Sequence, residues 1–314
     1  MTGFFGGGIF GRSGGNNFAL TRYTGNGTTQ SIITGQKLLD GAMVLLSKRD
    51  ESDNRNIIDT VRGATIGWRT DAPLQEYTEA NGLTAFLSTG FSLGNSTNVN
   101  DSGKATQAFS WLKKKGYLDI VSYTGTGAAR TIGHALEVAP SVILAKARGI
   151  AASGTDYGIF YHSATGTQYG YSGTSDALAT DATYWNAAPD ASNFSVGTNL
   201  RVNKSGVNYI AYLFAEKTGI SKFGSYVGNS SSAGAVIACG FRPKAWLVKN
   251  ASSAGNWRLA WVEGANIYSI NLNDSLPIKD ETANWLVSAS ALQVTGVSSE
   301  INGSGDNYIY AIWG

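Results

Sequence analysis

The sequence predicts an all-β protein of three tandem antiparallel β-sandwich domains of jelly-roll type, and three observations carry that prediction. Four short phrases recur in the same order three times along the 314 residues. Inside each copy the apolar residues alternate with the period of a strand rather than that of a helix. Glycine is abundant, at 40 residues, proline is scarce, at 5, and charged residues make up only 15% of the chain, the balance of a turn-rich protein with little amphipathic helix.

The first phrase is a tyrosine-glycine loop, Tyr23-Thr24-Gly25-Asn26-Gly27, then Tyr123-Thr124-Gly125-Thr126-Gly127, then Tyr226-Val227-Gly228-Asn229-Ser230. The second is an apolar run closed by lysine: Met43 to Lys48, Val142 to Lys146 and Ala245 to Lys249. The third is Phe91-Ser92-Leu93-Gly94, Phe194-Ser195-Val196-Gly197 and the looser Leu292-Gln293-Val294-Thr295-Gly296. The fourth is a turn ending at Gly103, Gly206 and Gly305, and eight residues past that glycine stands an aromatic, Trp111, Phe214 and Trp313.

The opening tyrosines lie 100 and 103 residues apart. A unit of that length can enclose its own core, whereas solenoid units of roughly 20 to 50 residues bury their faces only against neighbours. The expected organisation is a glycine-rich N-terminal segment over 1–20 and domains over 21–116, 117–220 and 221–314. Strands spaced by glycine and asparagine give about seven to nine per unit. Asn208 to Phe214 and Asn307 to Trp313 read as buried strands rich in aromatic and β-branched residues. The Asn-x-Ser-Gly turn before each is expected to close a hairpin. The opening tyrosine strand is expected to pair with the closing aromatic strand of its own unit.

Composition excludes several function classes. A net charge of +2 with one short basic cluster, Lys113-Lys114-Lys115, gives nucleic acid no footprint. No apolar run is long enough to insert in a membrane, and the N-terminus lacks the basic and apolar regions of a signal peptide. The single Cys239 leaves each unit without a disulfide.

Motifs that resemble catalytic signatures lack their context. Gly6 to Gly11 fits G-x-G-x-x-G but follows no strand, and Gly11-Arg12-Ser13-Gly14-Gly15 fits a nucleophile elbow without a strand-to-helix turn. His134 and His162 have no counterparts in the other copies, whereas a three-site enzyme would repeat its site. The acidic residues Asp50, Glu51, Asp53, Asp280 and Glu281 fall at non-equivalent positions, so no paired carboxylates of a glycosidase are indicated. The chain is therefore expected to be no enzyme, with no cofactor and no metal site.

Between the second and third phrases the copies diverge, and there binding specificity is expected. Tyr157, Tyr169, Tyr171, Tyr184, Trp185, Trp257, Tyr268 and Trp285 lie in these stretches, where rings flanked by Asn, Asp and Ser suit sugar recognition, although any single ring is better read as core. In the N-terminal strip, Phe4, Phe5, Ile9 and Phe10 sit among glycines as anchors for docking on another protein.

The tyrosine-glycine loop, Gly240-Phe241-Arg242-Pro243-Lys244-Ala245-Trp246-Leu247-Val248-Lys249, the Phe-Ser-Val-Gly phrase and the Asn-x-Ser-Gly turn leading into Tyr209-Ile210-Ala211-Tyr212 together resemble a repeated domain of tailed-bacteriophage virion and tail-fibre proteins, marine phages among them. The resemblance spans roughly residues 20 to 314 and is closest in the second and third copies; the first has Leu39-Asp40-Gly41-Ala42 in place of Gly-Phe-Arg-Pro. It implies a concanavalin A-like or laminin-G-like, lectin-like sandwich and a virion protein made in the bacterial host cytoplasm. The leading expectation is a tail-fibre or appendage adhesin for host cell-surface glycan, mounted on other virion proteins through its N-terminus and homo-oligomeric, with a trimer favoured. The alternatives are a purely structural virion component, such as a capsid decoration or baseplate connector, and a polysaccharide-degrading enzyme.

Overall fold

The computed structural model describes residues 17–150 and 156–314. The described chain is all-β and antiparallel, and the sequence repeat is a structural one. The first unit holds β1 (Phe18–Thr24), β2 (Gln30–Ile33), β3 (Ala42–Lys48), β4 (Asn56–Asp59), β5 (Ile66–Arg69), β6 (Tyr77–Thr78), β7 (Leu83–Phe86), β8 (Gly90–Leu93) and β9 (Ala105–Leu112). The second holds β10 (Leu118–Thr124), β11 (Arg130–Gly133), β12 (Val142–Ala147), β13 (Ile159–His162), β14 (Gln168–Tyr171), β15 (Ala179–Thr180), β16 (Asn193–Val196) and β17 (Asn208–Phe214). The third holds β18 (Ser221–Val227), β19 (Val236–Ala238), β20 (Ala245–Asn250), β21 (Arg258–Glu263), β22 (Asn266–Asn271), β23 (Lys279–Asp280), β24 (Trp285–Val287), β25 (Ala291–Val294) and β26 (Asn307–Trp313).

Each unit has one six-stranded sheet in the same order, β1-β9-β3-β4-β5-β6, β10-β17-β12-β13-β14-β15 and β18-β26-β20-β21-β22-β23. A small sheet completes each unit: β2-β8-β7, β11-β16 and β19-β25-β24. The opening and closing strands pair over seven residues in every unit, Phe18↔Trp111 to Thr24↔Ala105 in the first. Each unit encloses an apolar cluster between its two layers, around Phe91, Phe194 and Leu292 respectively.

The repeated phrases turn out to be one fastening made three times. The tyrosine hydroxyls of Tyr23, Tyr123 and Tyr226 donate to the carbonyls of Val99, Val202 and Ile301, at 2.5, 2.8 and 2.6 Å. Those carbonyls lie in one-turn helices, α1 (Thr97–Asn100), α2 (Leu200–Asn203) and α3 (Ser299–Asn302), so a helical turn stands where a simple hairpin is expected. The reason is the cap: Ser96, Asn199 and Ser298 accept from the backbone two residues on and start the turn. Buried Asn100, Asn203 and Asn302 then join three segments at once. Each side-chain oxygen accepts from the tyrosine-glycine loop (Asn26, Thr126, Asn229), and each amide donates to the glycine of the third phrase (Gly94, Gly197, Gly296). A Cβ on Gly25, Gly125 or Gly228 would lie 2.1 or 2.2 Å from a backbone oxygen of the fourth phrase, which is why glycine recurs there.

The units do not stand in line. The outer faces of the three six-stranded sheets meet in a single apolar cluster that draws on every unit, with Met43, Leu45, Trp68 and Phe109 from the first, Leu144, Phe160, Tyr212 and Phe214 from the second, and Leu247, Trp257, Leu259 and Ile309 from the third. At its centre the closing aromatics touch one another: the ring centroids of Trp111 and Phe214 are 6.1 Å apart, of Trp111 and Trp313 5.4 Å, and of Phe214 and Trp313 5.8 Å. An apolar cavity of about 50 Å³ lies beside this triad. Equivalent backbone hydrogen bonds close the ring at each seam: Glu76 N donates to Arg148 O, Leu178 N to Ala251 O and Ile278 N to Arg49 O. The chain is thus a closed ring of three units around a pseudo-threefold axis, with three seams.

Candidate functional site

Strand register aligns the seams position by position, and equivalent residues solve the same contact in different ways. Asp59, His162 and Trp261 are equivalent, opposite Met43, Val142 and Ala245. Across the first–second seam, Tyr212 donates to Asp59 Oδ2 at 2.8 Å, and Trp68 Nε1 donates to the Tyr212 hydroxyl at 3.1 Å. Across the third–first seam, Trp261 meets Phe109 edge to face, with centroids 5.3 Å apart. Across the second–third seam, His162 Nε2 lies 3.0 Å from the Tyr310 carbonyl while Nδ1 accepts from Ala164 N. These partners require a neutral imidazole with its proton on Nε2, and burial pushes its pKa down to about 4 against the pull of the Tyr310 hydrogen bond.

Charged side chains close the outer part of two seams. Glu76 accepts from Arg148 Nε at 2.9 and 3.1 Å across the first–second seam. Across the third–first seam, Glu263 pairs with Arg22 at 3.0 Å and Arg49 at 2.8 Å, and the Arg49 guanidinium lies over the rings of Trp261 and Tyr268. Burial alone would raise the Glu263 pKa, but the two arginines outweigh it and hold the carboxyl below its ordinary range.

At the second–third seam the equivalent positions are uncharged and three of the four are small: Ser225 for Arg22, Ala251 for Arg49, Gln168 for Tyr268, and Ala164, two residues past His162, for Glu263. The result is an open groove of about 600 Å³. Thr165, Gln168 and Thr180 form one wall, Ser225, Ser252 and Asn307 the other, and Leu178, Ala251 and Ile309 the floor. None of the lining residues is ionisable or aromatic. Gln168 and Thr180 are paired on neighbouring strands, and the side chains of Gln168, Thr180 and Ser225 have no hydrogen-bond partner among the described residues. Its volume falls within the roughly 300–1,000 Å³ of sites that hold small ligands.

The aromatic residues expected to bind ligand are mostly turned inward. Tyr184, Trp185, Trp257 and Trp285 are 1–3% exposed, so their rings present no stacking surface to solvent. Trp185 donates to the Phe160 carbonyl inside the second unit, and Trp285 meets Trp246 edge to face in the third. Trp257 stacks on Phe160 across the second–third seam with centroids 4.2 Å apart. Tyr268 is half-buried against Arg49 and Trp261. Strand alternation sends Tyr169 and Tyr171 of β14 to the opposite face from Gln168; Tyr169 stacks on Tyr184 at 3.8 Å, Tyr171 shares a hydroxyl hydrogen bond with Tyr184 at 2.6 Å, and Tyr157 leans on Tyr171. These three retain part of their surface, with Arg201 over the Tyr171 ring. The structure therefore gathers Tyr157, Tyr169, Tyr171 and Tyr184 into one patch and disperses Trp185, Trp257, Tyr268 and Trp285 into cores and seams. Phe4, Phe5, Ile9 and Phe10, with both glycine-rich motifs, lie outside the described residues.

The groove residues carry no periodic or compositional signal. The one signal available is comparison between copies, which sets Ser225, Ala251 and Gln168 against Arg22, Arg49 and Tyr268. Among the described residues, no group of three or more His, Cys, Asp or Glu side chains is placed to hold a metal ion, and no helix is long and apolar enough to cross a membrane.

Fold and site together define an all-β, three-unit ring with a polar groove at one seam. The chain belongs to the DUF7483 family, a domain of unknown function, whose family model matches residues 13–314 and so takes in all three units. No curated protein matches the chain.

Proposed function

We propose that this protein is a virion component of a tailed bacteriophage, an appendage or tail-fibre adhesin that binds host cell-surface glycan without catalysing a reaction. In this reading each unit is a jelly-roll, lectin-like sandwich domain, over 21–116, 117–220 and 221–314. The observation that carries it is the second–third groove, whose walls offer hydroxyls and amides where the equivalent positions of the third–first seam hold arginines, a glutamate and a tyrosine. A hydroxyl-rich ligand satisfies such walls hydrogen bond for hydrogen bond, and a partly apolar floor accepts its C–H faces.

Attachment to the particle is assigned to the end of the ring where the N-terminal segment joins the fold. Leu112 N donates to Asn17 O there, the linkers touch through Lys217 Nζ and Lys115 O, and Gly314 N donates to Ile220 O. Homo-oligomerisation, with trimers favoured, belongs to this reading and multiplies weak sites into avidity. The test is adsorption: purified protein is expected to bind host cells and to compete with phage for them, and absence of both sinks the adhesin assignment.

A further inference from the structure

We infer that the groove between the second and third units is a binding site for an uncharged saccharide, and that the choice of neutral over acidic sugars is set by the four positions at which this seam departs from the third–first seam. The inference rests on the adhesin reading for its biological setting and on the groove alone for its chemistry. The side chains of Gln168, Thr180 and Ser225, which have no hydrogen-bond partner among the described residues, supply amide and hydroxyl groups that donate and accept, the pairing a sugar hydroxyl needs. Leu178, Ala251 and Ile309 give the floor an apolar strip for ring C–H groups.

Charge decides against acidic ligands. A uronate or sialate carboxylate entering this groove gives up hydration and meets no cation among the lining residues. Lys249 is not among the lining residues, and its Nζ is already engaged, donating to the Ser175 and Asn250 carbonyls and lying over Trp257. With no ring in the lining, binding depends on hydrogen bonds and shape, so single-site affinity is weak.

The third–first seam supplies its own control. Moving its residues into the groove, as Ala164→Glu, Gln168→Tyr, Ser225→Arg and Ala251→Arg together, introduces the Glu263–Arg22–Arg49 pairing and the Tyr268 ring at equivalent positions. The ring then keeps a seam chemistry that this fold already uses, and the groove is filled.

The experiment is ligand-observed NMR on the full chain with neutral gluco-, galacto- and manno-trisaccharides and their uronate- or sialate-bearing counterparts. At least one neutral trisaccharide is expected to bind, about tenfold or more tighter than its acidic counterpart, and the fourfold variant is expected to lose that binding with an unchanged unfolding temperature. If the variant fails to fold, Gln168→Ala and Ser225→Ala decide instead, each expected to weaken binding about fivefold or more. Equal or stronger binding of acidic sugars, survival of binding in these variants, or no saccharide binding at all overturns the inference. Adsorption separates the two proposals. A protein that competes with phage yet binds no neutral sugar keeps the adhesin reading and loses this one; the reverse outcome does the opposite.

Discussion

Asp59 of the first unit and Tyr212 of the second are joined by a 2.8 Å hydrogen bond across their seam, with both side chains wholly buried. Asp59 also accepts from Arg62, likewise buried, so the tyrosine hydroxyl completes the solvation of a carboxylate that water does not reach. Desolvation raises the Tyr212 pKa well above its ordinary value, which keeps the phenol protonated and donating. Tyr212→Phe removes this donor and leaves Trp68 Nε1 without its acceptor. The expected loss is about 1–3 kcal/mol for buried groups left unsatisfied, read from denaturant unfolding at neutral pH.

The fastening asparagines give a second prediction. Asn203→Asp keeps the shape but replaces an amide that donates to the Gly197 and Ala128 carbonyls, both at 2.7 Å, with an oxygen that repels them. The expected destabilisation is about 3 kcal/mol or more at pH 7. Asn203→Asp is expected to lose less stability at low pH, where a protonated carboxyl can donate once.

The axial aromatics predict cooperativity. Trp313→Ala opens a cavity where all three units meet, with an expected loss of about 3–5 kcal/mol. Calorimetry of the wild type is expected to give one transition with matching calorimetric and van't Hoff enthalpies. In the variant that transition moves as a whole, whereas three separate transitions would contradict the ring.

Acid tests the second–third seam. The folded pKa of His162, about 4, lies below its ordinary 6.5, so the unfolded chain binds the proton first. Stability from this group is complete above about pH 6.5, declines as pH falls through that value, and levels off below about 4. The full decline is about 3 kcal/mol. His162→Gln is expected to flatten this segment of the stability profile between pH 4 and 6.5.

How much of this could be read in the sequence depends on how local each cause is. The tyrosine, glycine and asparagine of each fastening are fixed by contacts inside one unit, so Tyr123, Gly125 and Asn203 recur and stand out. The seams are a different matter. Runs such as Val142-Ile143-Leu144-Ala145 announce burial on both faces of a strand but not what covers the outer face. Trp257 and Trp185 look alike as aromatics in divergent segments, yet one stacks across a seam and the other fills a core. The groove is least legible, because it is made by the smallness of Ala251 and Ser225, and an absence of bulk leaves no pattern in a single copy.

The three equivalent links from Glu76 to Arg148, Leu178 to Ala251 and Ile278 to Arg49 join units of a single chain. In a ring assembled from three identical chains, any change at a seam appears three times, and a substitution that opens one seam opens all. Joining the units in a single chain removes that constraint. Two seams remain clamped by Glu76–Arg148 and by Glu263 with its arginines, while the remaining seam is free to change its chemistry without loosening the other two.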